Sequence, residues 1–559
     1  MAKVVKSKYS FTDTVKEIAQ GITSVFVFIL LVVFPLYTHD AYFDILGARY
    51  VFFKVIVLVH AILLSMLGIF YLISDKGISH NGVPAIKRFF SAFSLKNIKK
   101  HITLTDVFFI LMLIVMIVST IGSDFKEESI TGNAGRYQGL ECWIFYFVSY
   151  LCISRTYKFN RVHLDFAILA GAFSCIWCVT DFFRMDIFKF FVGVSEVQKS
   201  MFVSSIGNLN TFTNYSIMVF AVSAILFALE RDSMIRIIYY GFMTFISAVG
   251  TVFGIADNAV LGFFIFFVVS PFILFKNRRG FTRYLMILTI FLTTLPLVYL
   301  GTFYSPWGTW ASIFLQVAKS SLVRLIFIPF LILSVVITYV FNNVLKPIYE
   351  VNDTINQKPL DSKLPFTFRL VWIILIVVGF VVVLLMEIDI NVTKKFTDFW
   401  KKISFYNQLE FNDDWGTHRG HNWRIAFTNF KNFDIFKKLF GYGPDTYLIV
   451  SERSFYQEMV EKYGEVYDSA HNEYINYLIC EGVFGLICYL GIFLSAIREG
   501  FKQLKNNKML FAAVMAVICY MFQAIVNIAI PITTPIFFTF MYMCIAAHFE
   551  NKNKEILKI

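Results

Sequence analysis

The chain has 559 residues, 57% of them hydrophobic and 16% charged, with a mean hydropathy of +0.66 and a formal net charge of +12. A charged fraction well below the roughly 25% of soluble domains excludes a soluble globular protein and points to an all-α polytopic membrane protein. The positive charge does not indicate nucleic acid, because the basic residues fall in short clusters between apolar runs, the pattern of cytoplasmic membrane loops.

Apolar runs near spanning length recur at about 21–38, 50–74, 105–122, 142–154, 165–183, 211–229, 237–253, 259–275, 284–303, 321–343, 370–386, 474–496, 509–528 and 534–549. That predicts about 14 spans, or about 12 if the short run at 142–154 and the closely spaced pair 237–275 are counted conservatively. The first run reads as a span, with no small-residue cleavage pattern after it. The eight cysteines lie in or against these runs, and Cys175-Ile176-Trp177-Cys178 reads as packing inside a helix, with a redox pair as the alternative.

Lysine and arginine fill every second loop: the N-terminal segment, 75–104, Arg155 to Arg161, Arg231 to Arg236 and Lys276 to Arg283. The positive-inside rule then places both termini in the cytoplasm, in the cytoplasmic (inner or plasma) membrane. One outward loop is long, roughly 85 residues at 387–473, which is more than a connection needs. The chain so divides into an N-terminal transmembrane bundle (1–386), a large extracytoplasmic loop (387–473) and C-terminal transmembrane helices (474–559).

The loop closes on Asp468-Ser469-Ala470-His471-Asn472-Glu473, where polar sequence runs into an apolar helix. If that segment is one continuous helix, Gly482 lies eleven residues on, near three full turns, on the same face as His471. The outward side also carries Arg136 in Gly135-Arg136-Tyr137-Gln138-Gly139, Asn208 and Asn210 before a span, and Arg419, His421 and Arg424 within Gly416 to Arg424. Arginine forks bind phosphate oxygens in pairs and stay charged at any working pH, so these residues make an anion site. Each also has a structural reading. Arg136 can snorkel to headgroups; Arg419 and Arg424 can pair with Asp413, Asp414 or Glu410; His471 can sit in a capped first turn with Ser469 as N-cap. Asp413-Asp414 can be a solvated pair or a weak metal site, and Gly441-Tyr442-Gly443-Pro444 a turn or a phosphate cradle. Glu481 below His471 needs a partner or a cavity.

The ordered series Gly135-Arg136-Tyr137-Gln138-Gly139, Gly207-Asn208-Leu209-Asn210, Arg419 with Trp423, Gly441 to Tyr447, and His471-Asn472-Glu473-Tyr474 with Gly482 resembles the O-antigen ligase and O-antigen polymerase family of polytopic membrane glycosyltransferases. The resemblance covers the topology of most of the chain and is specific from about Arg419 to Tyr489. It implies a GT-C-like membrane fold. It also implies transfer of a glycan from an undecaprenyl diphosphate carrier to an acceptor glycan or glycolipid hydroxyl at the outer membrane face, amid membrane lipids, with no cofactor, nucleotide sugar or metal. His471 would be the general base; Arg136 and Arg419, with Arg424 second, would hold the leaving diphosphate. Asn472 and Asn210 would orient the site, Gly441, Gly443 and Asp445 shape it, and Gly482 and Gly485 would allow helices or the polyprenyl chain to come close. Where many family members carry Ser-Arg at the outer end of a middle span, this chain reads Ala256-Asp257-Asn258, with Lys319 or Arg324 as candidate substitutes. The competing class is a lipid-linked oligosaccharide flippase or other transporter, which would place ionisable residues inside several spans. A membrane receptor or scaffold fits less well, since no soluble output domain is visible in the sequence.

Overall fold

The computed structural model describes residues 11–76, 83–92, 94–99, 101–133, 135–304, 312–319, 332, 335–336, 363–402 and 406–556. It is 76% helical, and the only paired strands among the described residues are Phe202–Val203 and Gly207–Asn208, joined antiparallel. Nine helices among the described residues are long and apolar enough to cross a membrane: Phe11–Leu36, Ile45–Ser74, Leu104–Gly122, Arg161–Phe182, Leu209–Leu229, Met234–Phe253, Arg278–Gly301, Phe366–Thr393 and Gly482–Gln503.

Other expected runs form helices below that length. The run at 142–154 is the 17-residue helix Leu140–Thr156. The run at 259–275 is Asn258–Val269 followed by Pro271–Leu274, with proline at the first position of the second piece, where its missing N–H costs least. Leu510–Gln523 is a third short apolar helix. The run at 321–343 lies almost wholly outside the described residues.

Leu209–Leu229 is the centre of the bundle. Its apolar stretch is 94% buried, whereas that of Phe366–Thr393 is 0% buried and lies at the periphery. It packs against Met234–Phe253, Leu510–Gln523, Arg161–Phe182 and Asn258–Val269. In lipid the gain comes from close packing and not from water exclusion, so small residues sit at the contacts. A Cβ at Gly250 would stand 2.3 Å from the Cβ of Cys175, which fixes how closely those two helices approach. All eight cysteines are free, and Cys175 and Cys178 are buried in this packing.

Two features shape the end of the bundle near His471. The first helix ends in a wide turn at Ile29–Val33 and a tight one at Phe34–Leu36. Buried Arg49 bonds the carbonyls left open there, Pro35 (2.9 Å) and Tyr37 (2.9 Å), and also that of Ser205 (2.6 Å). The large loop has a hydrophobic cluster of its own, built from Ile425, Tyr447, Val450, Met459, Ile475 and Ile479 among others. Ile475 and Ile479 belong to the helix after His471, so the packing unit of the loop runs past residue 473 to Cys480.

Candidate active site around His471

The expected continuous helix from His471 to Gly485 is interrupted at both ends of Glu473–Cys480. Asn472, not Ser469, is its N-cap: the Asn472 side chain accepts from the N–H groups of Tyr474 (3.0 Å) and Ile475 (3.1 Å). His471 therefore stands outside the helix, with a left-handed φ of 48°. A second helix, Gly482–Gln503, begins at Gly482 with φ 72°. Gly482 and His471 thus do not share a helix face, and the reason is steric. A Cβ at Gly482 would lie 2.5 Å from the Leu439 carbonyl, and one at Gly441 (φ 81°) would lie 2.1 Å from the Cys480 oxygen. The Gly441–Gly443 turn enters the break, where Tyr442 N–H donates to Ile479 (3.1 Å) and Gly443 N–H to Cys480 (3.0 Å), serving carbonyls that the helix end leaves open. Gly441, Gly443 and Gly482 form a backbone joint under the site.

Asp445, just after that turn, secures the Arg136 loop. One of its carboxylate oxygens accepts from Asn133 N–H (2.8 Å) and Gln138 N–H (2.9 Å), bracketing Arg136. Burial pushes the Asp445 carboxyl up to about 7, with those two hydrogen bonds opposing. Arg136 donates one terminal nitrogen to both oxygens of Asp468 at 2.6 Å, three residues before His471. Its Nε is buried with no bond among the described residues.

Arg419 enters from the loop. Gly416, Thr417 and His418 all have left-handed φ (62°, 60° and 66°), a sharp turn immediately before the regular part of the Trp415–Asn432 helix. One turn further on, Asn422 Nδ2 donates to the carbonyl of Ser469 (2.8 Å) and Trp423 Nε1 to that of Ala470 (2.9 Å). Tyr447 in turn donates to Asn422 Oδ1 (2.5 Å). The two residues preceding His471 are thereby pinned by the helix that carries Arg419.

The three candidate arginines separate by partner. Arg424 is bound to both oxygens of Asp413 (3.1 Å each) and to Glu458, which holds its charge more firmly, and Lys462 completes the exposed network at 2.7 Å from Asp413. Asp414 accepts from Tyr463. The structure places Arg424 in this solvated network, away from His471, as its structural reading anticipated. Arg419, by contrast, has no hydrogen bond or ion pair among the described residues, although its charge acts on both Asp257 and His471. Burial lowers the Arg419 pKa, with the Asp257 charge opposing; a guanidinium there stays ionised.

The His471 ring also has no hydrogen bond among the described residues, whereas those of His39, His60, His163, His418, His421 and His548 are each engaged. It faces a cavity of about 380 Å³ shared with Arg136, Asn208, Asn210, Tyr42 and Asn527. Burial, then the charges of Arg419 and Arg136, lower the His471 pKa to about 3, with Asp468 opposing. The ring is a neutral imidazole with free nitrogens, facing a cavity lined by Arg136, Asp44, several asparagines and an apolar wall, while the charge of Arg419 acts on it from nearby. It can accept a proton, and the flanking guanidinium groups can hold an anion.

Asp257 stands where an arginine was expected. Its carboxylate accepts Ile313 N–H (2.7 Å), and burial raises its pKa to about 6. Neighbouring Asn258 donates to the carbonyl of Asn210 (3.0 Å), as does Asn527 (3.0 Å). Of the candidate substitutes, Lys319 lies in the Ile313–Lys319 helix and Arg324 lies outside the described residues. Sequence reasoning missed Asp468, Asn422 and Asn527. Asn527 had a legible signal, an amide at the very end of the apolar run at 509–528, while the other two act through pairings across the loop. Comparison with known proteins finds no family model that matches the chain and no curated protein that matches it.

Proposed function

We propose that this chain is a membrane glycosyltransferase that moves a glycan from an undecaprenyl diphosphate carrier to an acceptor sugar hydroxyl at the outer face of the cytoplasmic membrane, as a polysaccharide polymerase or an O-antigen ligase-like enzyme of cell-envelope polysaccharide biosynthesis. On this reading the chain has 12–14 transmembrane helices by the roughly 20-residue criterion, cytoplasmic termini, and His471 facing outward. The observation that carries it is an unpartnered histidine ring facing a cavity that Arg136 also lines, with Arg419, unpartnered among the described residues, near enough for its charge to act on that ring.

In the reaction, a His471 ring nitrogen takes the proton of the acceptor hydroxyl as its oxygen attacks the anomeric carbon. The bond from that carbon to the diphosphate oxygen breaks, and the charge gathering on the leaving group falls to Arg419 and Arg136. Arg136 would exchange or share Asp468, which is 45% exposed and already solvated. The placement of buried charged groups favours this reading over a transporter: Arg49, Asp106, Asp181 and Glu230 lie at or next to helix ends and bond nearby groups there, and Glu473 and Glu481 flank the short helix after His471. His60, mid-way along Ile45–Ser74, is bonded to Thr23.

Purified protein supplied with a lipid-linked glycan and acceptor tests the proposal. His471→Ala is expected to abolish transfer with the protein still folded, and Arg419→Ala to slow it by about 10²–10³-fold, the usual cost of removing one group that stabilises developing charge. Wild-type transfer by His471→Ala would remove the base assignment. Carrier translocation with no transfer by the wild type would favour the transporter.

A further inference from the structure

The helix Phe366–Thr393 stands at the periphery of the bundle with none of its apolar stretch buried, so its end marks where the chain leaves the bilayer. The chain turns back at once there. Lys394 has a left-handed φ of 52°. The carboxylate of buried Asp389 gathers the turn: it accepts from the Thr393 hydroxyl, from the N–H groups of Lys395 (3.1 Å) and Phe396 (2.9 Å), and from Trp400 Nε1 (2.8 Å). Asn391 donates to the Leu409 carbonyl (3.0 Å) and accepts from Phe411 N–H (2.7 Å), which ties the turn to the large loop. Two kinds of side chain are left outside this framework. Val392, Phe396 and Phe399 are 73%, 64% and 61% exposed. Lys394, Lys395, Lys401 and Lys402 are exposed too, and none of their ammonium groups has a hydrogen bond or ion pair among the described residues. Asp398 is the one exposed acid between them.

A turn held by these hydrogen bonds gains nothing for its own fold from exposed phenylalanines or from a basic run. At a bilayer boundary both find a use. Apolar side chains settle below the headgroups, lysine stems lie along them with the ammonium groups at phosphate level, and the surface potential of anionic lipids draws basic residues placed beside a span. We propose that residues 392–402 form a membrane-surface anchor for anionic phospholipids, with Phe396 and Phe399 among the upper acyl segments and Lys394, Lys395, Lys401 and Lys402 at the lipid phosphates. Two observations favour lipid over a protein partner: the segment directly continues a helix whose apolar stretch has no protein cover, and its free charges are of one sign. The anchor shares no residue with the lining of the His471 cavity and does not depend on the glycosyltransfer reading.

The test uses the full chain carrying a benzophenone-bearing phenylalanine in place of Phe399, reconstituted in vesicles of phosphatidylglycerol and phosphatidylcholine in equal amounts. Ultraviolet cross-linking and mass spectrometry then identify what the side chain touches. Lys394→Gln, Lys395→Gln, Lys401→Gln and Lys402→Gln are combined in one variant, and the corresponding Lys→Arg changes in another as the charge-preserving control. All four side chains are exposed, so thermal unfolding should match wild type in both. Lipid adducts are expected, with the ratio of phosphatidylglycerol to phosphatidylcholine about fivefold above the bulk ratio, the contribution of one lysine at an anionic surface. That excess should vanish in the glutamine variant, persist in the arginine variant and shrink as salt is added. Adducts in the bulk ratio, an excess that the glutamine variant keeps, or adducts to a second protein chain with none to lipid would each overturn the anchor.

Discussion

His471 is held neutral first by burial and then by the charges of Arg419 and Arg136, and the second of these causes is one that a bound diphosphate would offset. A base with a pKa near 3 is weak in the free protein, and anion binding beside it should raise its basicity as the acceptor arrives. Activity carried by a neutral base is lost as pH falls through its pKa. The acid limb of kcat, which reports the substrate-bound state, is therefore expected at higher pH than that of kcat/KM, which reports the free enzyme. Coincident limbs, or limbs unchanged in the charge-removing Arg419→Gln, would exclude this coupling. The same depression bears on stability. Between the ordinary histidine value of 6.5 and about 3, the unfolded chain binds a proton that the folded chain does not. Stability is thus lost as pH falls through that window, and His471→Gln removes this part of the slope in a thermal-unfolding series. Residue identities were legible here because a histidine and arginines at a polar–apolar boundary carry chemistry on their face. Which arginine was free was not, since Arg419 and Arg424 sit five apart on one helix and differ in whether Asp413 and Glu458 reach them.

Helices were read correctly from apolar runs because hydrocarbon-length periodicity is a strong signal, but the break after Cys480 was not. A glycine within a helical pattern is tolerated, and nothing local to Gly482 announces that Leu439 and Gly441 press against it from the loop. Gly482→Ala is expected to cost about 1–3 kcal/mol from its left-handed backbone alone, with the Leu439 contact adding to it. A lowered unfolding temperature in detergent, together with reduced transfer, would follow. An unchanged melting curve would show that the two helix pieces can merge. Asp445 belongs to the same joint. The sequence offered it as a site-shaping residue, and the structure gives it a specific task, closing the Asn133–Gln138 loop over Arg136.

Across the whole molecule, the polar cavity at His471 lies at one end of the central helix. Under the proposed reading, polymerase and ligase use the same base and anion site and differ in the acceptor. Cells lacking the protein separate them. Single repeat units left on the carrier are expected for a polymerase and full-length chains stranded on it for a ligase, each visible as the length distribution of carrier-linked glycan. The hydrophobic cluster of the loop has a different consequence. Because Ile475 and Ile479 pack with Ile425 and Tyr447, the helix after His471 is part of the packing unit of the large loop. Any graft between related chains has its natural seam at the Glu481–Gly482 bend, and a splice at residue 473 would sever the donor segment from the residues that keep its histidine in register.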